Sequence, residues 1–411
     1  MRRGIGLAVP ALLLVAAACT TSESEPTTTS ADPTTTTSST TTTTAAPPVI
    51  DVDRLVIIDE EGLVVTMNRD GSSEVVVSAD GEIPFQPIWA PDGQSVAYSD
   101  RANSEFIVAD AMGGGELRIE MEAPPFYFSW SPSGGELGSL RNKATGGLIH
   151  ERFFVGEVLT VAEVDDGAPY YFSWNPDGSE TVAHVGTERL DLVSSDGNAA
   201  ALGVTPGVFQ APQWTDGGIV VAVVTEAGQQ IVRIDGEAFE TLAEVGGSVF
   251  FEVSASERYL AVQSFGGEGD SVSVALTDEP VPPNQLLVID LETGERTVVT
   301  DGPSFGFFWS PGGDRLLVME PEGAPGTFAI SIWDNGELLE GPTFQASAQW
   351  LGEFIPFYDQ YARSMSLWAP DGSAYAFIGT YDGDRGIYVA DVASGAVNRV
   401  AGGTWVAWSP R

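Results

Sequence analysis

Hydrophobic positions in this chain fall in short β-branched and aromatic runs, each cut off by a turn and followed at once by another run. After Trp368 the turn Pro370, Asp371, Gly372 leads to Ala374–Ile378, then to Gly386–Ala390, then to a run near Ala396–Val400. Pro370 presets the φ of a turn, and Gly372 can take the positive φ that folds the next strand back antiparallel. The pattern predicts successive hairpins of short strands.

The phrase that opens this unit is Trp, a small residue, Pro, Asp or Ser, Gly. It recurs at Trp89, Trp130, Trp174, Trp214, Val253, Trp309, Trp368 and Trp408, at steps of 41, 44, 40, 39, 56, 59 and 40 residues. A strand-only unit with a period near 40 predicts an all-β chain folded as a single β-propeller over residues 50–411. The copy at Trp214 lacks the proline, and the copy at Val253 lacks the aromatic residue. The aromatic runs before the turns, such as Phe126–Trp130 and Phe305–Trp309, would fill the wedges between neighbouring sheets, so the Trp row reads as packing rather than a ligand cage. The last copy supplies only a first strand, while Arg54–Ile58, Leu63–Met67 and Glu74–Val77 supply three more. Pairing the two ends gives eight four-stranded blades without open edges. The two long steps keep seven blades as the alternative.

Trp-Ser-Pro-Asp-Gly followed by an apolar strand resembles the WD40-like repeats of TolB-type propellers, over roughly residues 51–411. The Gly-His and Trp-Asp dipeptides of true WD40 repeats are absent from the blade positions. The stretch Phe354–Tyr361 is similar to an insertion found in bacterial propeller proteins of unassigned role. The resemblance implies a binding scaffold of the cell envelope. Repeats that run to the final residue leave no room for the peptidase attached to some related propellers.

The front of the chain bears on location. Arg2 and Arg3, the apolar run Ile5–Ala18 and then Cys19 read as a bacterial lipoprotein signal (residues 1–18) with Cys19 as the lipidation site. Ala16 stands where such signals carry leucine, and Gly4, Ile5 and Gly6 match a twin-arginine signal poorly. The run is too short to span a bilayer. Residues 19–49, rich in Thr, Ser and Pro, read as a solvated tether reaching about 95 Å extended or about 30 Å as a coil. A glycosylated stalk has the same composition. These features predict an exported chain, lipid-anchored to the outer face of the cytoplasmic membrane in the cell envelope.

Composition removes several function classes. With 18 basic against 58 acidic residues the net charge is −40, a surface that repels nucleic acid, and solubility or a saline habitat accounts for it. Cys19 is the only cysteine, which excludes an internal disulfide and any cysteine-based metal knuckle. His150 and His184 are the only histidines; isolated, they favour structural roles over zinc or a serine triad. No Gly-x-Ser-x-Gly elbow occurs, and Lys143, the sole lysine, is not in a phosphate loop. Asp382 and Asp384, with Asp270 in a second acidic loop, are weak calcium candidates, since carboxylates in turns are usually just solvated; no other cofactor is indicated.

The two long steps mark insertions. Gly266–Gln285, with three prolines, predicts a loop or an extra hairpin. Between Trp309 and Trp368 the aromatics Trp350, Phe354, Phe357, Tyr358 and Tyr361 recur at helical spacing interrupted by Pro356. Either they cap one end of the ring and are buried, or some form a patch beside the channel mouth that binds an envelope protein, peptide or glycan. The leading expectation is a monomeric, membrane-anchored, non-catalytic binding platform. The alternatives are a propeller hydrolase or lyase with a carboxylate or calcium site at the channel mouth, and a spacer without a specific ligand.

Overall fold

A computed structural model describes residues 53–265, 272–274, 277–281 and 284–410. The signal, Cys19, the tether and Asp270 lie outside the described residues. Among those described, no helix is long and apolar enough to cross a membrane.

The strands form eight antiparallel units of a β-propeller, and the two ends of the chain share the first. There Trp405–Trp408 pairs with Arg54–Ile58, which pairs with Val64–Asn68 and then Val75–Val76. Five further blades follow, their inner strands at Pro84–Trp89, Tyr127–Trp130, Tyr170–Trp174, Gln213–Thr215 and Ser248–Val253. The seventh opens with Gly306–Trp309. In the eighth the inner strand shrinks to a single bridge, Trp368 opposite Tyr375. Blades seven and eight are joined into one seven-stranded sheet by Gln345 opposite Thr380 and Ala346 opposite Gly379.

The recurring turn has one geometry. In the first copy Gly93 N–H donates to Ala90 O at 2.9 Å with Gly93 at φ +70°, and Asp92 Oδ1 accepts Gln94 N–H at 2.9 Å. Asp177 and Asp371 cap their turns in the same way at 2.8 and 2.9 Å, so the aspartate in the phrase serves the turn. Both irregular copies solve the problem differently. Without proline, Thr215 pairs directly with Gly218 across the two-residue turn Asp216, Gly217. In the Val253 copy Glu257 takes φ +57° where the others have glycine, and its carboxylate accepts Gly217 N–H of the preceding blade at 3.0 Å.

The tryptophans latch blade to blade. Trp174 donates its indole N–H to Ser129 O at 3.3 Å, Trp309 to Glu252 O at 3.0 Å and Trp368 to Phe308 O at 2.9 Å. Each acceptor is the residue just before the matching position of the preceding blade. Gln213 adds a two-pronged stitch, donating to Phe251 O at 2.7 Å and accepting Val253 N–H at 2.8 Å.

Both insertions find places in this ring. The Gly266–Gln285 segment contains the expected hairpin, Val272–Val274 with Thr277–Val281. It leaves the sixth blade and extends the sheet of the fifth, at Glu244 opposite Ser273. The second insertion forms α1 (Ala348–Glu353), a 3₁₀ turn (Ile355–Phe357) and α2 (Tyr358–Tyr361). Pro356 restarts the helix as its ring demands, and Ser347 Oγ caps α1 by accepting Trp350 N–H at 3.1 Å.

The latch is testable at single positions. Trp368→Phe keeps the ring but leaves Phe308 O buried without its donor, and should lower stability in urea unfolding by about 1–3 kcal/mol. Trp89 is also buried, but its indole N–H has no partner among the described residues. Trp89→Phe should cost clearly less.

Candidate functional site

Eight inner strands surround an axis, and the second insertion occupies it. Gln360 behaves like a strand partner. Its Oε1 accepts Phe172 N–H at 2.9 Å, while its Nε2 donates to Phe172 O at 2.8 Å and to Tyr127 Oη at 2.7 Å. Asp359 Oδ2 accepts Ala211 N–H at 3.1 Å, and Tyr361 Oη donates to Phe126 O at 3.2 Å. The Tyr358 ring lies 5.3 Å from that of Phe250 and 5.4 Å from that of Phe307. Beyond the helices, Trp408 N–H donates to Ser366 O at 2.9 Å. Tyr361 Oη also reaches Gln86 Oε1 at 3.4 Å, so the plug touches blades two to seven and the shared first blade.

Four of the five aromatics belong to this plug. Trp350, Phe354, Tyr358 and Tyr361 are at most 5% exposed, and Phe354 stacks on Trp350 with centroids 5.2 Å apart. These four cannot form a surface patch. Phe357, on the 3₁₀ turn, is 47% exposed.

On the plug side of the ring Phe357 forms one wall of an apolar groove of 350 Å³. Phe85, Phe126, Tyr171 and Phe209 are among its other aromatic walls, with Tyr171 and Phe209 at 4.6 Å, and the buried plug residue Tyr361 also borders it. At its edge Arg101 lies over the Phe85 ring and pairs with Glu353 at 3.2 Å. The repeat places these walls before the turns of four successive blades, where the sequence predicted only wedge packing; that they line a groove beside the plug is decided by the fold.

The opposite mouth is a funnel of 580 Å³ walled by the Trp and Pro residues of the recurring turns, with a contiguous recess of 290 Å³. Asp359, Gln360, Arg363 and Ser364 form its floor, and Glu252 lines the recess beside Arg363. Burial pushes the Glu252 carboxyl up to about 8 despite Arg363 nearby, and pushes Asp359 up to about 6. Desolvation draws the Arg363 guanidinium below its ordinary value.

The histidines are structural. His150 is buried, stacks on Phe172 at 4.4 Å and shares a hydrogen bond with Tyr170 Oη at 3.1 Å; burial lowers it to about 3. His184 Nδ1 lies 3.1 Å from Gln210 O, and burial lowers it to about 4. Asp382 and Asp384 flank Gly383 in a tight hairpin turn, with Asp382 at φ +51°. Among the described residues no group of three or more His, Cys, Asp or Glu side chains is placed to share a metal ion.

No protein-family model matches the chain, and no curated protein matches it either. Among solved structures it is similar to the eukaryotic initiation factor, with TM-score 0.57, 12% identity, 88% of this chain and 99% of that chain covered. The β-propeller domain of the Trilobed protease from Pyrococcus furiosus gives TM-score 0.46 and 12% identity over 79% of this chain and 97% of that one. TolB from Acinetobacter baumannii gives 0.38 and 16% over 70% of this chain and 65% of that one. At such identities the likeness concerns the fold alone.

Glu252 makes a pH prediction. Its folded pKa lies above its ordinary 4.5, so the stability it contributes is complete below about pH 4.5 and falls as pH rises towards about 8. Glu252→Gln should flatten the decline of the urea midpoint between pH 5 and 8. At pH 8 the variant should be the more stable protein, by at least about 1 kcal/mol.

Proposed function

We propose that this chain is a non-catalytic binding platform of the cell envelope, exported and held at the membrane through Cys19. The observation that carries the platform reading is the apolar groove beside Phe357, an aromatic cleft left open in a ring whose other large aromatics are mostly packed. Its occupant is a protein or peptide that presents an apolar side chain flanked by basic residues. The apolar side chain matches the aromatic walls, and the basic flanks match a chain with 58 acidic residues against 18 basic.

Phe357→Ala should leave the fold intact, because the ring is half in solvent, and should weaken the partner about tenfold or more. Crosslinked capture from the envelope checks this. A positively charged partner that is lost with Phe357→Ala and released by salt supports the reading, and an unchanged partner list overturns it. Anchoring is checked separately: Cys19→Ser should move the chain out of the membrane fraction, or leave its signal uncut.

A second reading, a hydrolase or lyase acting in the funnel, is favoured by the buried acids Glu252 and Asp359 beside Arg363. Turnover of a glycan or peptide substrate that vanishes with Asp359→Asn, or a stoichiometric divalent ion bound at that mouth, would select it over the platform.

A further inference from the structure

Arg363 stands at the floor of the funnel in a setting unlike that of most arginines in this ring, which are held by a carboxylate. Arg141 is held by Glu151 and Arg189 by Asp165, each at 2.9 Å. Arg363 has no carboxylate within 4.0 Å among the described residues. Its guanidinium donates one hydrogen bond, from Nη1 to Gln213 Oε1 at 3.0 Å, and the side chain is open to the cavity. Gln213 is itself locked by Phe251 O and Val253 N–H, so the bond orients the guanidinium and leaves most of its planar fork free.

The floor around it is already committed. Gln360 spends its amide on Phe172 and Tyr127, Asp359 accepts from Ala211, and Ser366 Oγ donates to Trp368 O. Arg363 is therefore the group on the floor best placed to hold an incoming polar atom, and a planar fork of donors matches a carboxylate in bidentate geometry. A simple anion would still enter poorly. Asp216 and Glu257 stand in the wall of the same funnel, and the whole chain is strongly negative. A ligand that offers a carboxylate to Arg363 and an ammonium group to Asp216 and Glu257 satisfies both signs at once. The walls between these poles are Trp and Pro, surfaces that cover apolar side chains, and 580 Å³ lies within the range that encloses drug-sized ligands.

We infer that the funnel binds a short zwitterionic peptide, its terminal carboxylate on Arg363 and its ammonium end at Asp216 and Glu257. This site lies across the plug from the Phe357 groove and does not depend on the groove having a partner.

Calorimetry with trialanine, trialanine amide, N-acetyl-trialanine and galacturonate as probes, at neutral pH and low salt, tests the assignment. Trialanine should bind, and the amide should bind at least tenfold more weakly. Arg363→Gln should weaken trialanine to the same degree with an unchanged urea midpoint, and Arg363→Lys should fall between. N-acetyl-trialanine should also weaken, with Asp216→Asn and Glu257→Gln together removing the difference between the acetylated and free peptides. Equal binding of the acid and the amide, an unaffected Arg363→Gln, or no binding of trialanine overturns the inference. Galacturonate binding in place of trialanine overturns the peptide assignment and leaves a carboxylate site for acidic sugars. Phe357→Ala should leave all these affinities unchanged, which separates this test from that of the groove.

Discussion

A ring of eight twisted sheets has inner edges whose backbone groups find no neighbouring strand. Backbone N–H and C=O groups along the axis need partners, and the ring is too wide for facing inner strands to supply them. This chain meets the constraint with one irregular segment, whose Gln360 amide takes both backbone groups of Phe172 as a strand would. Asp359, Tyr361 and Ser366 repeat the service on three other blades. The helical turns are too short to be stable alone, so the ring forms the plug as much as the plug completes the ring.

That arrangement divides the axis into two chambers of different chemistry. One opens on the plug side, is walled by aromatics from several blades and ends at Phe357. The other opens among the turns, has charged groups at its floor and indoles in its walls. Burial beneath the ring raises the carboxyls of Glu252 and Asp359, so charge in the second chamber is set by desolvation more than by counting acids and bases. Arg363 is thus a positive charge facing that chamber whose neighbours Glu252 and Asp359 are held towards their neutral forms.

Much of the fold is legible from local chemistry. Pro, Asp and Gly in the repeated phrase each do in the structure what their own geometry dictates, with Asp92 capping and Gly93 at positive φ. Shared closure of the first blade follows from counting strands at the two ends, and Leu55 does face Trp408. Eight units appear because the degenerate copy at Val253 still builds a blade, with Glu257 in the glycine position. The site is far less legible. Helical spacing of Trp350, Phe354, Phe357, Tyr358 and Tyr361 announced a helix but could not say which side faces protein, since inside the propeller all of these rings are buried except that of Phe357. Phe85, Phe126, Tyr171 and Phe209 follow one another at steps of 41, 45 and 38 residues, close to the repeat itself, but the repeat does not say that their rings leave a groove open beside Phe357.

By itself the sequence determined strands, turns and the repeating unit, with the blade count left between seven and eight, because these rest on φ preferences and alternating apolar positions within a few residues of one another. Only the tertiary structure decided which tryptophan reaches which carbonyl, that the aromatic insertion enters the axis, and that no carboxylate among the described residues comes within 4.0 Å of Arg363. Those outcomes depend on residues from separate blades meeting at one place, and the ring's closure alone brings them together.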